Sequence, residues 1–158
     1  MKFKNLVWTI SNEDILTLCK LLDKVTINSI EITDNILING CYKVVGLNVE
    51  FEALLSILEV QNNVIYVKVT DFKIAKKDTS NLLVKKSIGL IVNSITSIDG
   101  ITFNNNIFKI ELEKLLNKVC DESKKVKINS LYLDKLTLKN GEIQINLNFV
   151  DVILLDLK

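Results

Sequence analysis

Apolar and polar residues alternate with a period of two along much of the chain, the signature of strands buried on one face. Leu47, Val49, Phe51 and Ala53 interleave with Asn48, Glu50 and Glu52. Ile65, Val67 and Val69 interleave with Tyr66, Lys68 and Thr70, across an Asn62–Asn63 turn from the preceding run. Ile143, Ile145, Leu147 and Phe149 interleave with Glu142, Gln144, Asn146 and Asn148, just after Asn140–Gly141, a hairpin-turn pair. These phases predict that Phe51, Leu147 and Phe149 are buried.

A different period marks three helices. Ser11 suits an N-cap, and Asp14 three residues on completes a capping box in place of the usual Glu. Ile15, Leu18, Cys19 and Leu22 follow as the apolar stripe. A second helix is predicted from Asn81 to Ser97, after a cap at Thr79 or Ser80, with Val84, Ile88, Ile91, Ile95 and Ile98 on one side. The third runs from Glu111 to Cys120 with Leu112, Leu115, Leu116 and Val119 inward. Glu111 and Glu113 then sit in its first turn, where the helix dipole favours negative charge.

Two features set the expected architecture. Some strands look too long: Glu142 to Leu157 contains no Gly, Pro or turn pair, and would extend about 50 Å at ~3.3 Å per residue. The alternation also slips at Phe149–Val150 and at Asp71–Phe72, as it does at bulges, which bend a strand and raise its twist. Second, Leu18–Lys24 matches Leu112–Lys118 at five of seven positions, and Lys24–Ser29 matches Lys125–Ser130 at five of six. The reading is one α+β domain over residues 1–158: a long, strongly bent antiparallel sheet wrapped around three helices, with a repeat of 11–52 in 111–150.

The C-terminal run departs from alternation. Val150, Val152 and Leu154 fall on one side, and Ile153, Leu155 and Leu157 on the other. Apolar residues on both faces suit a strand covered twice, by its own fold or by a partner. Val152, Ile153, Leu155 and Leu157 are therefore the candidate partner interface. An apolar cleft between the second helix and the sheet is the other candidate site, lined by Leu47, Val49, Phe51, Ile91, Ile95, Ile145, Leu147 and Phe149.

Composition removes several chemistries. The 158 residues are 48% hydrophobic with net charge +1, and all 20 basic residues are Lys. There is no guanidinium fork for phosphate and no imidazole for proton transfer or metal. Near-neutral charge argues against nucleic acid, whose binding draws on neutralised phosphates. The pairs Lys76–Lys77, Lys85–Lys86 and Lys124–Lys125 read as solvated faces. The five glycines form no phosphate-cradling loop. Glu50 and Glu52 read as a solvent-facing row and Trp8 as a core aromatic. Cys19, Cys41 and Cys120 form no CxxC and read as free thiols in a reducing compartment. The longest apolar-plus-Gly stretch, Ile88–Val92, is far below the ~20 residues of a membrane span. No catalytic residue, metal or cofactor is expected. A cytoplasmic, soluble protein without a secretory signal is expected.

Long bent strands around a helix, apolar faces inward, resemble the tubular lipid-binding (TULIP) superfamily. The Val7-Trp8-Thr9-Ile10 start and the Lys-, Ile- and Asn-rich composition are similar to the small first protein of OrfX-type gene clusters that accompany clostridial neurotoxins. The resemblance implies a non-enzymatic accessory protein that binds a larger protein of the same cluster, with lipid contact through the apolar cleft and non-classical release with a toxin complex. It carries over no catalytic motif. A cytosolic homo-oligomeric interaction module without lipid is the alternative.

Overall fold

The computed structural model describes residues 1–44, 46–74, 81–121 and 125–155. Strand β1 is Lys2–Ser11 and helix α1 is Asn12–Cys19, followed by β2 (Val25–Ile32), β3 (Ile36–Val44), β4 (Leu47–Gln61) and β5 (Val64–Ile74). Helix α2 (Asn81–Thr96), β6 (Ile101–Asn104) and β7 (Ile107–Glu111) come next, then α3 (Leu112–Asp121), β8 (Val126–Lys139) and β9 (Glu142–Leu154). The fold is α+β and mostly sheet. All pairings are antiparallel.

One continuous sheet was expected; the described residues form two, β1-β9-β8 and β2-β3-β4-β5-β7-β6, and neither closes into a barrel. The separation has a local cause on β8, whose outer edge is occupied by side chains rather than by a strand. The Asn63 amide donates to the Leu131 carbonyl and accepts from the Leu133 N–H, both at 2.8 Å. Asn117 of α3 does the same to Ile128, at 2.9 and 2.7 Å.

The long strands are present: β4, β8 and β9 have 15, 14 and 13 residues. Their bulges fall near the predicted slips. Thr70 is the unpaired residue beside Asp71 on β5, and Asn148 the one beside Phe149 on β9. Three two-residue turns close hairpins with positive φ at both positions: Asn62–Asn63 (52°, 64°), Asn105–Asn106 (50°, 61°) and Asn140–Gly141 (51°, 83°). Asn tolerates this left-handed region better than other residues with a side chain, and such turns match strand twist.

The inner faces of the two sheets meet in a core that includes Ile65, Val67, Phe108, Leu131, Ile145, Leu147 and Val150. Beyond the smaller sheet, α2 covers the large sheet's inner face, over Val25, Tyr42, Phe51 and Ala53. Helix α1 seals a third cluster around Ile30, Ile32 and Ile36. The capping box at its start forms as predicted, with Ser11 Oγ accepting from the Asp14 N–H at 3.2 Å and Asp14 accepting from the Ser11 N–H at 2.9 Å. Its buried stripe differs by one residue: Leu16 packs inward beside Ile15 and Cys19, and Leu18 is exposed.

The two matched sequence segments occupy comparable places in their strands. Val25 opens β2 and Val126 opens β8, and Asn28 and Asn129 are the extra residues of a bulge at the same offset. The helical segments align less well, because Leu18 lies near the end of α1 whereas Leu112 begins α3.

Candidate functional site

The apolar cleft is built from β3, β4, β5 and α2. Phe51 lies across β3 because position 40 is Gly: a Cβ there would meet the Phe51 ring at 2.8 Å and the Thr26 carbonyl at 2.7 Å. Phe72 stacks on Phe51, with centroids 5.7 Å apart and planes 19° from parallel. From above, Ile88, Ile91, Val92 and Ile95 of α2 close a cavity of about 60 Å³ whose lining is entirely apolar. Tyr42 and Ser87 fasten α2 to β3 by a buried hydroxyl–hydroxyl hydrogen bond, and Ser94 Oγ donates to the Asp23 carbonyl.

Of the predicted cleft residues, the fold brings Phe51, Ile91 and Ile95 together at this cavity, with Val49 packed beside them. Ile145 and Leu147 are buried elsewhere, in the core between the sheets. Phe149 is a correction. The bulge at Asn148 shifts the phase, so Val150 takes the inward position while Phe149 turns to the outer face beside the exposed Tyr132, centroids 6.1 Å apart. The side chain of Leu47 lies outside the described residues, as do Val84 of the α2 stripe and the expected caps Thr79 and Ser80. Phe72 and Ile88 line the cavity too; the slip at Asp71 was the signal for Phe72.

The other candidate surface is the end of the smaller sheet away from the Asn140–Gly141 turn. There Ile153, Leu154 and Leu155 are 43%, 60% and 43% exposed. Phe3 and Leu6 of β1 are exposed too, further along the sheet, opposite Val150 and Leu147 of β9. Val152 is half-buried against the core. Leu157 lies outside the described residues. The exposed Phe3 and Leu6 of β1 belong to the same sheet, which the apolar pattern of the C-terminal run alone did not indicate.

Charge is dispersed. Lys73 bridges Asp71 at 3.1 Å and Glu52 at 3.8 Å on the outer face of the large sheet, which holds its ammonium pKa above the ordinary value, chiefly through the hydrogen bond to Asp71. Glu50 is exposed on the same strand, and Lys85 and Lys86 are exposed on α2. Lys76, Lys77 and Lys124 fall outside the described residues. Burial pushes the Cys19 thiol up to about 11. Among the described residues no group of three His, Cys, Asp or Glu is placed to hold a metal, and no helix is long and apolar enough to cross a membrane. No protein-family model, curated protein or solved structure matches the chain.

Proposed function

We propose that the chain is a non-enzymatic binding module that docks on a larger protein through the apolar end of its three-stranded sheet. The observation that carries this reading is the exposure of Ile153, Leu154 and Leu155, at the end of a strand whose apolar residues populate both faces. Three consecutive large apolar residues left exposed at the end of a sheet mark an interaction site in this reading. The resemblance to neurotoxin-cluster accessory proteins supplies the partner class, a larger protein encoded beside this one. Long bulged strands and a helix over an apolar sheet face support the TULIP likeness.

Lipid takes second place in this reading. The cavity under α2 is wholly apolar, as an acyl chain requires, yet its ~60 Å³ is well under the ~300–1,000 Å³ of a small-molecule pocket. A lipid would enter only if α2 lifted. Native mass spectrometry of the purified chain is expected to give the apo mass; a retained acyl lipid would move the site to the cleft.

The docking surface is tested by co-expressing the chain with the larger proteins encoded next to it and following co-elution. Ile153→Lys combined with Leu155→Lys should abolish co-elution while leaving the melting temperature within about 2 °C, since surface substitutions change stability by only ~0.5 kcal/mol. A lowered melt with co-elution intact would mean that this end is part of the chain's own core. A homo-oligomer that the same variant dissociates would replace the partner by a second copy.

A further inference from the structure

The structure offers four sheet edges, and three are closed. On β2, the Ile30 carbonyl accepts from the Asn12 side chain at 3.4 Å and the Ile32 carbonyl from the Gly141 N–H at 3.1 Å. Strand β6 is only four residues long. The β8 edge is taken by Asn63 and Asn117, each amide satisfying both a carbonyl and an N–H as a neighbouring strand would. These are the devices by which sheets avoid pairing with other chains. Strand β1 differs. It has ten residues, pairs only with β9 and is exposed from Lys2 to Val7; among the described residues a side chain, that of Asp14, takes only the backbone N–H of Ser11 at its far end.

From this we infer that β1 takes up an extended acidic segment of another protein as an added strand, which rests on the reading of the chain as a docking module. The acidic character follows from charge. Lys2 and Lys4 lie on the outer face of β1, at the register positions of Asp151 and Phe149, and neither makes an ion pair among the described residues. Asp151 itself accepts from Asn129 at 3.0 Å. There is no Asp or Glu in β1. A second copy would thus bring two more lysines to this edge and no carboxylate, and its own remaining edges are closed. An incoming strand that alternates carboxylates opposite Lys2 and Lys4 with apolar residues beside Phe3, Leu6 and Trp8 satisfies the free backbone groups, the lysines and the exposed apolar side chains together. Sheet-edge addition draws affinity from main-chain hydrogen bonds and selectivity from alternate side chains.

The test uses the intact chain and a labelled peptide of alternating Glu and Val, ten residues long to match β1. Binding is read by anisotropy of the label and by the emission of Trp8, the one tryptophan in the sequence. The Glu–Val peptide should bind at least about fivefold more tightly than a Lys–Val peptide, as opposed cross-strand charges imply. Lys2→Glu with Lys4→Glu should invert the preference, with a small drop in melting temperature because Glu at position 2 then faces Asp151, and N-methylation of the peptide backbone should abolish binding. No binding, indifference to peptide charge, or retained binding after N-methylation would overturn the proposal. So would a dimer cross-linked through Val7→Cys at micromolar concentration, which would assign the edge to a second copy. If the larger neighbour still co-elutes while the peptide fails to bind, only the edge assignment falls; loss of co-elution in the wild-type chain removes the docking reading beneath it.

Discussion

Gly40 and Phe51 show how much a single side chain decides here. With 2.8 Å between a Cβ at position 40 and the Phe51 ring, Gly40→Ala must displace either the ring or β3. It should cost about 1–3 kcal/mol in denaturant melts, the range for an overfilled core. Phe51→Ala should cost about 3–5 kcal/mol, as for other buried phenylalanines. Phe149→Ala, on the outer face, should cost less than about 1 kcal/mol. If Phe149 and Phe51 proved equally expensive to truncate, the bulge at Asn148 would be misplaced. Cys19 gives a pH-linked test: with its thiol held up to about 11 by burial, almost no thiolate forms at pH 8, and thiolate is the reactive species. Its labelling by a maleimide in the native chain should be slow and should accelerate on unfolding.

At the level of elements, the α1 cap links local sequence to pH. The Asp14 carboxyl has its pKa lowered by hydrogen bonds from the Ser11 backbone and then its hydroxyl, so the folded state favours the ionised form. The sign follows: this contribution is complete above the ordinary value of 3.8 and is lost as pH falls through the lower folded value. Ser11→Ala should cost about 1 kcal/mol at neutral pH, and the difference from wild type should shrink in acid. Elements were also where sequence was most legible. The cap at Ser11, the turns at Asn62–Asn63 and Asn140–Gly141, the inward phase of Phe51 and Ile65, and the helix from Asn81 were all encoded within a few neighbouring residues. Each depends on local backbone preference or on periodicity. Phe149 was misjudged because the adjacent apolar pair showed that the phase slipped but left open on which side of Phe149 the extra residue lay. Only the pairing with β8, which leaves Asn148 opposite nothing, resolves it.

On the scale of the whole molecule, the split into two sheets was invisible in the apolar pattern because it depends on contacts between residues far apart in sequence. Asn63 reaches β8 across a separation of 68 to 70 positions. As a turn residue it was recognisable; as a plug for another sheet it was not. The candidate surfaces divide the same way. Phe51, Ile91 and Ile95 share a cavity because both periodicities pointed inward, whereas Ile145 and Leu147, equally apolar, went to a different core with the second sheet. The exposed end at Ile153 and Leu155 was legible as a break in alternation, whereas the place of the exposed Phe3 and Leu6 in the same sheet required the pairing of the first strand with the last.

The asparagines on β8 also bear on polymerisation. A sheet with one open edge can accept a single guest and then stops; a sheet with two open edges can stack head to tail without limit, since a heterologous contact that does not close on itself generates fibres. Asn63 and Asn117 are what make the three-stranded sheet a dead end. Replacing both with Ala would leave the backbone groups of Ile128, Leu131 and Leu133 unsatisfied and the β8 edge free to receive β1 of the next molecule. The double variant should therefore scatter light progressively on standing, with a lag that shortens as concentration rises. The same variant carrying Val7→Pro, which removes a donor from β1, should stay clear.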